Sequence, residues 1–287
     1  MQQNCLEVVI ASHKGKIKKT NEDSGVYRLG TDQYGNNVAL CAVADGMGGL
    51  AAGDRASRLA VECLNQWWDD NIRLFLAEPL SERDLGATEK LDNKNMSLDL
   101  KTIAQELGGI FHQINRLLIK EGEQMGMRIG TTLSVLFLLG DSYFIVHIGD
   151  SRIYHLGYKA EQLSEDHSWV AQQVRTGKMT QEEADNHPSR HILTDCLGVI
   201  DKIHLCFNSG SLQSGDTILI CSDGFYTMVA KEKWESYLLQ SSNIKKQSLQ
   251  LTADELVQMA NNAGGKDNIT VLLVRHMKKA SWFSKFH

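Results

Sequence analysis

Little in this chain would stiffen it, cross-link it or carry it through a membrane. Only two prolines occur in 287 residues, Pro79 and Pro188, so few stretches read as rigid linkers. No apolar run approaches the ~18–20 residues that a spanning helix needs, and no membrane span is expected. The N-terminus MQQNCLEVVIASHKGK has no basic start followed by a long apolar stretch, so a secretory leader is not expected. The six cysteines, Cys5, Cys41, Cys63, Cys196, Cys206 and Cys221, form no C-x-x-C pair. Several lie in apolar runs, where a thiol acts as a small hydrophobe. A disulfide framework is therefore not expected, and a reducing cytoplasm is the expected compartment. No basic stripe stands out and the formal net charge is −5, so nucleic acid is not an expected partner. Phosphate-cradling and dinucleotide glycine motifs, an EF-hand loop, a G-x-S-x-G elbow and a cysteine poised as nucleophile are all missing. Nucleotide-driven chemistry, calcium sensing and covalent acyl transfer lose their usual signatures with them.

What is present is ordinary globular material. Hydrophobic residues make up 42% and charged residues 23%, and the length allows a core of useful size. Apolar runs rich in Val, Ile, Leu and Thr predict strands at Val38–Ala44, Thr131–Leu139, Tyr143–Ile148, Thr217–Cys221 and Ile269–Val274. The runs are almost continuous, so both faces should be buried. Short turns at Gly140-Asp141 and Gly149-Asp150 predict antiparallel hairpins from Thr131 to Tyr154. Apolar residues at helical spacing run from Leu59 to Ile72 and from Leu100 to Leu117. Thr252 and Glu255 form a capping-box pattern that predicts a third helix ending at Gly264. A smaller helical pair is expected between Asp166 and Asn186, with a second capping box at Thr180 and Glu183. The stretch from about 78 to 97 is polar and aperiodic and reads as a surface insertion. The economical packing is α/β in the α+β sense: a four-layer sandwich of two antiparallel β-sheets flanked by α-helices.

Five acidic clusters stand at or beside strand ends: Glu22-Asp23, Asp45, Asp150, Asp223 and Asp267. Any one Asp-Gly at a strand end is usually only a turn. Together they mean more. If the strand ends gather at one edge of the sandwich, the carboxylates repel one another in a site of reduced dielectric, and a cation is the simplest remedy. The donors are all oxygens, without a Cys or His pattern spaced for zinc, which selects Mg²⁺ or Mn²⁺. Two such ions about 3.5–4 Å apart would lower the pKa of a bridging water. Metal-assisted hydrolysis of an anionic substrate is the class that survives.

The order N-E-D, A-D-G-x-G-G, G-T-T, G-D-S-R, S-D-G, D-N-x-T over Ser12–Val274 resembles the metal-dependent protein phosphatase family, protein phosphatase 2C type. VADGMGG, HIGDSRIYHL and HPSRHILTDCLG (His187–Gly198) are similar to its compact bacterial branch. The resemblance implies a β-sandwich flanked by helices and one catalytic domain over 1–277, with a flap at about 164–190 and a short basic and aromatic tail at 278–287. It implies hydrolysis of phosphoserine and phosphothreonine in proteins by in-line attack of a metal-bridged hydroxide, without a phosphoenzyme. Asp45 would bridge two ions. Asp23 and the Gly46 carbonyl would hold one, and Asp223 and Asp267 the other. Asp150 would hold a third, weaker ion with Asp223. Glu22 and Asn268 would play supporting parts. The implied partners are phosphorylated proteins, those of a Ser/Thr kinase the enzyme opposes in signalling, and the family default is a monomer.

Three positions depart from the family pattern. Lys18 stands where the family usually has the arginine that clamps the substrate phosphate, with Lys19 beside it. Lysine supplies charge without the planar two-point grip, so Lys18 is expected to hold phosphate as a point charge. His13 replaces a frequent aspartate and is expected at the surface. Met47 stands where many eukaryotic relatives carry a proton-donating histidine, and His167, His187 and His191 are expected to be structural or on the flap. A binding module that holds phosphoproteins with weak turnover is the alternative that Lys18 leaves open.

Overall fold

The computed structural model describes residues 4–32, 34–48, 52–76, 100–239 and 248–278. The expected insertion at about 78–97 lies outside the described residues, as does the tail beyond Lys278. The strands are β1 (Asn4–His13), β2 (Asp23–Thr31), β3 (Asn37–Met47), β4 (Gly130–Thr131), β5 (Leu133–Leu139), β6 (Ser142–Ile148), β7 (Arg152–Leu156), β8 (Ala160–Gln162), β9 (Cys206–Ser211), β10 (Thr217–Cys221) and β11 (Ile269–Lys278). The helices are α1 (Ala52–Leu76), α2 (Leu100–Met125), α3 (Trp169–Arg175), α4 (Gln181–Asp185), α5 (Asp223–Tyr226), α6 (Lys231–Leu239) and α7 (Leu249–Asn262).

Two antiparallel sheets result. One runs β1-β11-β10-β7-β8 and the other β2-β3-β5-β6-β9, with β4 paired to β3. The period-2 rule shows why the central strands are apolar throughout. On β3, Val38, Leu40, Ala42 and Ala44 face the core under α1 and α2, while Ala39, Cys41 and Val43 face the core between the sheets. On β11, Val271 and Leu273 pack towards α5–α7, while Leu272 and Val274 face the other sheet. The expected helix–sheet–sheet–helix layering is what forms. β1 pairs with β11 over its whole length, so the first and last described strands share one sheet. Among the described residues no helix is long and apolar enough to cross a membrane.

Two local expectations fail. The β5–β6 turn at Gly140 is a hairpin, with Leu139 opposite Ser142. The β6–β7 turn is not, because β6 and β7 belong to different sheets. Gly149, at φ +109, instead swings the chain from one layer to the other. The third helix begins at Leu249, not after Thr252. Ser248 caps it by accepting from the Leu251 N–H, and buried Thr252 turns its hydroxyl to the Ser248 carbonyl. The capping box at Thr180 and Glu183 forms as expected and starts α4. The expected strand at Thr131–Leu139 divides at Thr132, whose hydroxyl is used in the site described next.

Candidate active site

β2 and β3 pair in a register that puts Asp23 directly opposite Asp45. Like charges in that position destabilise a strand pair. The surroundings nevertheless fix both residues. The Asp45 N–H donates to Thr132 Oγ1 at 3.0 Å, and its carbonyl accepts from the Thr132 N–H and from Thr131 Oγ1. Thr132 in turn shares a hydrogen bond with Ser151, two residues into the turn that carries Asp150. Ser222 holds the N-cap position of α5 but makes no side-chain cap. Its hydroxyl donates to Asp23 Oδ2 at 2.7 Å and accepts from the Thr270 N–H. The G-T-T, G-D-S-R and S-D-G segments therefore act as one scaffold for the carboxylates.

Two close backbone approaches complete it. A Cβ at Gly46 would sit 2.0 Å from the Gly53 carbonyl oxygen, so α1 starts in direct contact with the end of β3 that carries Asp45. A Cβ at Gly224 would sit 2.0 Å from the Asn268 carbonyl oxygen. Asn268 is buried, accepts from the Glu22 N–H, and donates to the Lys14 and Thr20 carbonyls. It ties the loop before β2 to the loop before β11, the supporting part expected of it. His13 is exposed and accepts from the Gly15 N–H, as a surface residue would.

Burial dominates the electrostatics of the cluster. It pushes Asp23 up to about 7, and the charges of Asp223 and Asp267 add to it. Burial also raises Asp45 well above the usual carboxylate range, with Asp23, Asp223, Asp150 and Asp267 all contributing. Asp150 is raised in the same way by burial, then by Asp223 and Asp166. Asp45 thus lies within electrostatic reach of the other four expected aspartates. Asp23 Oδ1 is buried without a hydrogen-bond partner. This hard, all-oxygen donor set fits a divalent cation of the Mg²⁺ or Mn²⁺ kind. Among the described residues, no three of these side chains converge on a single point. Asp23 Oδ2 is held by Ser222, and Asp267 Oδ1 is held by Lys18 at 2.6 Å.

Lys18 is the finding that the sequence did not foreshadow: it reaches an aspartate of the cluster itself. Burial disfavours its charge, but the Asp267 hydrogen bond and the charges of Asp267, Glu22 and Asp45 outweigh that and raise its pKa. His191 is expected to be structural or on the flap, and its Nδ1 lies 3.7 Å from Asp223 Oδ2. His167 is structural: it is buried, and its ring accepts from the Gly149 N–H. His187 packs against Trp169 with its ring tilted by 41°. The segment that follows β8 is pinned beside Asp150. His167 N–H donates to the Gly149 carbonyl, and Arg152 makes a two-point ion pair with Asp166 while lying over the Tyr226 ring at 3.8 Å. Tyr226 completes the circuit by donating to the Asp150 carbonyl. Tyr226 and Ser222 were not legible as site residues; only their places beside Asp223 pointed to them.

The protein phosphatase 2C family model matches residues 19–259, which include Asp23, Asp45, Asp150 and Asp223 and stop short of Asp267. The chain belongs to the protein phosphatase 2C family. A serine/threonine phosphatase stp of Listeria monocytogenes is 36% identical over 262 residues, covering 91% of this chain and 92% of that protein. The serine/threonine phosphatase of S. agalactiae has a solved structure that superposes with a TM-score of 0.77 at 28% identity, covering 94% of this chain and 99% of that one. The catalytic domain of the serine threonine protein phosphatase PstP, solved in complex with two manganese ions, gives a TM-score of 0.70 at 26% identity, with 96% and 100% covered.

Proposed function

We infer that this chain, a protein serine/threonine phosphatase by its family and relatives, hydrolyses phosphoserine and phosphothreonine with two divalent cations held by the aspartate cluster. The observation that carries the reading is the burial of Asp23 opposite Asp45 with three more aspartates within reach. A divalent cation would relieve such repulsion while leaving the carboxylates ionised. In this reading Asp45, Asp23, the Gly46 carbonyl, Asp223 and Asp267 would hold the two ions, and Asp150 with Asp223 would hold a weaker third. Bound there, Mn²⁺ or Mg²⁺ would supply Lewis acidity, lowering the pKa of water and neutralising phosphoryl charge. The PstP structure with its two manganese ions supports the choice.

The chain's own residues then position and neutralise. Lys18 exchanges its Asp267 partner for a substrate phosphoryl oxygen as the cluster's charge is met, and steers the phosphate as a point charge. Water displaces the serine or threonine oxygen from phosphorus in one in-line step, helped chiefly by fixed electrostatics. The substrates are phosphorylated proteins, those of a kinase that this enzyme opposes. The binding-module alternative loses support because all five aspartates are present in the sequence.

The test is hydrolysis of an aryl phosphate and of a phosphothreonine peptide, with Mn²⁺ and with chelator, by the full chain and by Asp45→Asn and Asp223→Asn. Activity should vanish with chelator and fall by about 10²–10³ or more in each variant, the scale set by losing a group that stabilises transition-state charge. Turnover that persists in chelator or in both variants would refute the mechanism.

A further inference from the structure

Lys14 to Asn21 reads KGKIKKTN: four lysines and no acid, in a chain whose net charge is −5. Lys266 adds a fifth lysine from the neighbouring loop. A lysine run is ordinarily a solvated turn, but this one is built in. Gly15 sits at φ +78, where a Cβ would fall 2.2 Å from the Asp267 carbonyl oxygen. The Lys16 N–H donates to the Gly265 carbonyl at 2.7 Å. Asn268 binds the Lys14 and Thr20 carbonyls, both at 2.9 Å, and so clamps the two ends of the run. A Cβ at Gly265 would lie 3.1 Å from Lys16 Cγ, which places Lys16 against the Lys266 loop. Of the five lysines, Lys18 holds Asp267. The other four are exposed, and among the described residues none makes an ion pair or a side-chain hydrogen bond.

We infer that these two loops form a specificity surface for acidic substrate segments: phosphoproteins with carboxylates or further phosphates beside the residue being dephosphorylated. The inference rests on the phosphatase reading. Three physical points favour it. The surface is continuous with the site, since Lys18 and Asp267 belong to the same two loops. Its backbone is fixed, so binding orders only side chains. Its charge is opposite to that of the protein as a whole, so it selects by sign where the rest of the surface repels. Lysines are mobile point charges and accept carboxylate or phosphate in varied geometry. Neighbouring Cα atoms are about 3.8 Å apart, so Lys19 and Lys16 would read positions within a few residues of the one that meets Lys18.

The experiment uses the full chain with Mn²⁺ and three phosphothreonine peptides that differ only in flanking residues: Gln, Glu, or a second phosphothreonine. An aryl phosphate is the control without flanks. Exposed charge pairs are individually weak, so three or four together should favour the Glu over the Gln peptide by about tenfold in kcat/KM at low salt. The preference should narrow in about 0.5 M salt, where the screening length falls to a few ångströms. Lys14→Gln, Lys16→Gln and Lys19→Gln combined should erase most of the preference and leave aryl phosphate turnover unchanged. Equal kcat/KM for Glu and Gln peptides with active enzyme would overturn the inference, as would a preference that survives the triple substitution. Binding of polynucleotide or phosphatidylserine vesicles to the patch without any peptide preference would also overturn it. If the aryl phosphate is not cleaved at all, the phosphatase reading fails first. Fluorescence anisotropy of the same peptides then decides the surface by itself: tighter, salt-sensitive binding of the Glu peptide supports it, and equal binding refutes it.

Discussion

Removing divalent cations should make this protein less stable as pH rises from 5 to 8, and Asp23 sets the scale. Its carboxyl goes from an ordinary 3.8 to about 7 in the fold. A raised acid binds its proton more tightly folded than unfolded, so the stability it contributes is present at low pH and lost as pH rises through about 7. At about 1.4 kcal/mol for each tenfold in proton affinity, full ionisation of Asp23 costs roughly 4 kcal/mol. Asp45 and Asp150 are raised for the same reason and steepen the fall. The assay is thermal unfolding of chelated protein across pH 5–8, repeated with Mn²⁺. About 3 kcal/mol of the Asp23 cost falls between pH 5 and 7, so at about 2–4 °C per kcal/mol Asp23 alone should cost the chelated protein roughly 6–12 °C across that range. Mn²⁺ should remove most of the loss. Asp23→Asn keeps an oxygen to accept from Ser222 and discards the buried charge. It should flatten the chelated profile and raise stability at pH 8 while weakening Mn²⁺ binding. A chelated midpoint that is flat or rises with pH would refute the reasoning, and so would a steeper profile in Asp23→Asn.

Other outcomes follow from the same contacts. Lys18→Ala should raise KM for phosphopeptides more than it lowers kcat, because it removes uniform phosphate binding; steady-state kinetics with unchanged KM would sink that role. Gly224→Ala pushes a methyl against the Asn268 carbonyl and should lower both the melting midpoint and activity, by about 1–3 kcal/mol in stability as overpacking does. A fully stable variant would mean the loop yields freely. Arg152→Lys keeps the charge but loses the two-point grip on Asp166 and the contact over Tyr226. It should cost about 1–3 kcal/mol and loosen the segment around Asp166, read as faster amide exchange from 164 to 168, whereas unchanged exchange would show that segment to be held elsewhere.

The strands missed in the sequence share a position. β1, β2, β8 and β9 are the outer strands of the two sheets. Edge strands have one neighbour and need not be apolar on both faces: β9 is exposed along most of its length and β2 alternates. The central strands, buried on both sides, could be read directly from unbroken apolar runs. Helix α2 shows the same limit at finer grain. Its stripe continues from Ile114 to Leu118, and Leu117, one residue off the face, is exposed.

Sequence by itself determined the layers, the family motifs and the five aspartates, because burial patterns and chemistry-bearing residue types are written locally. Only the tertiary structure decided what those aspartates face. The register that sets Asp23 against Asp45, the crossing between sheets at Gly149, the turning of Ser222 away from its helix, and the reach of Lys18 to Asp267 all join residues far apart in the chain. Such pairings depend on how two sheets and their loops dock. That docking is a property of the packed core as a whole, and no window of sequence contains it.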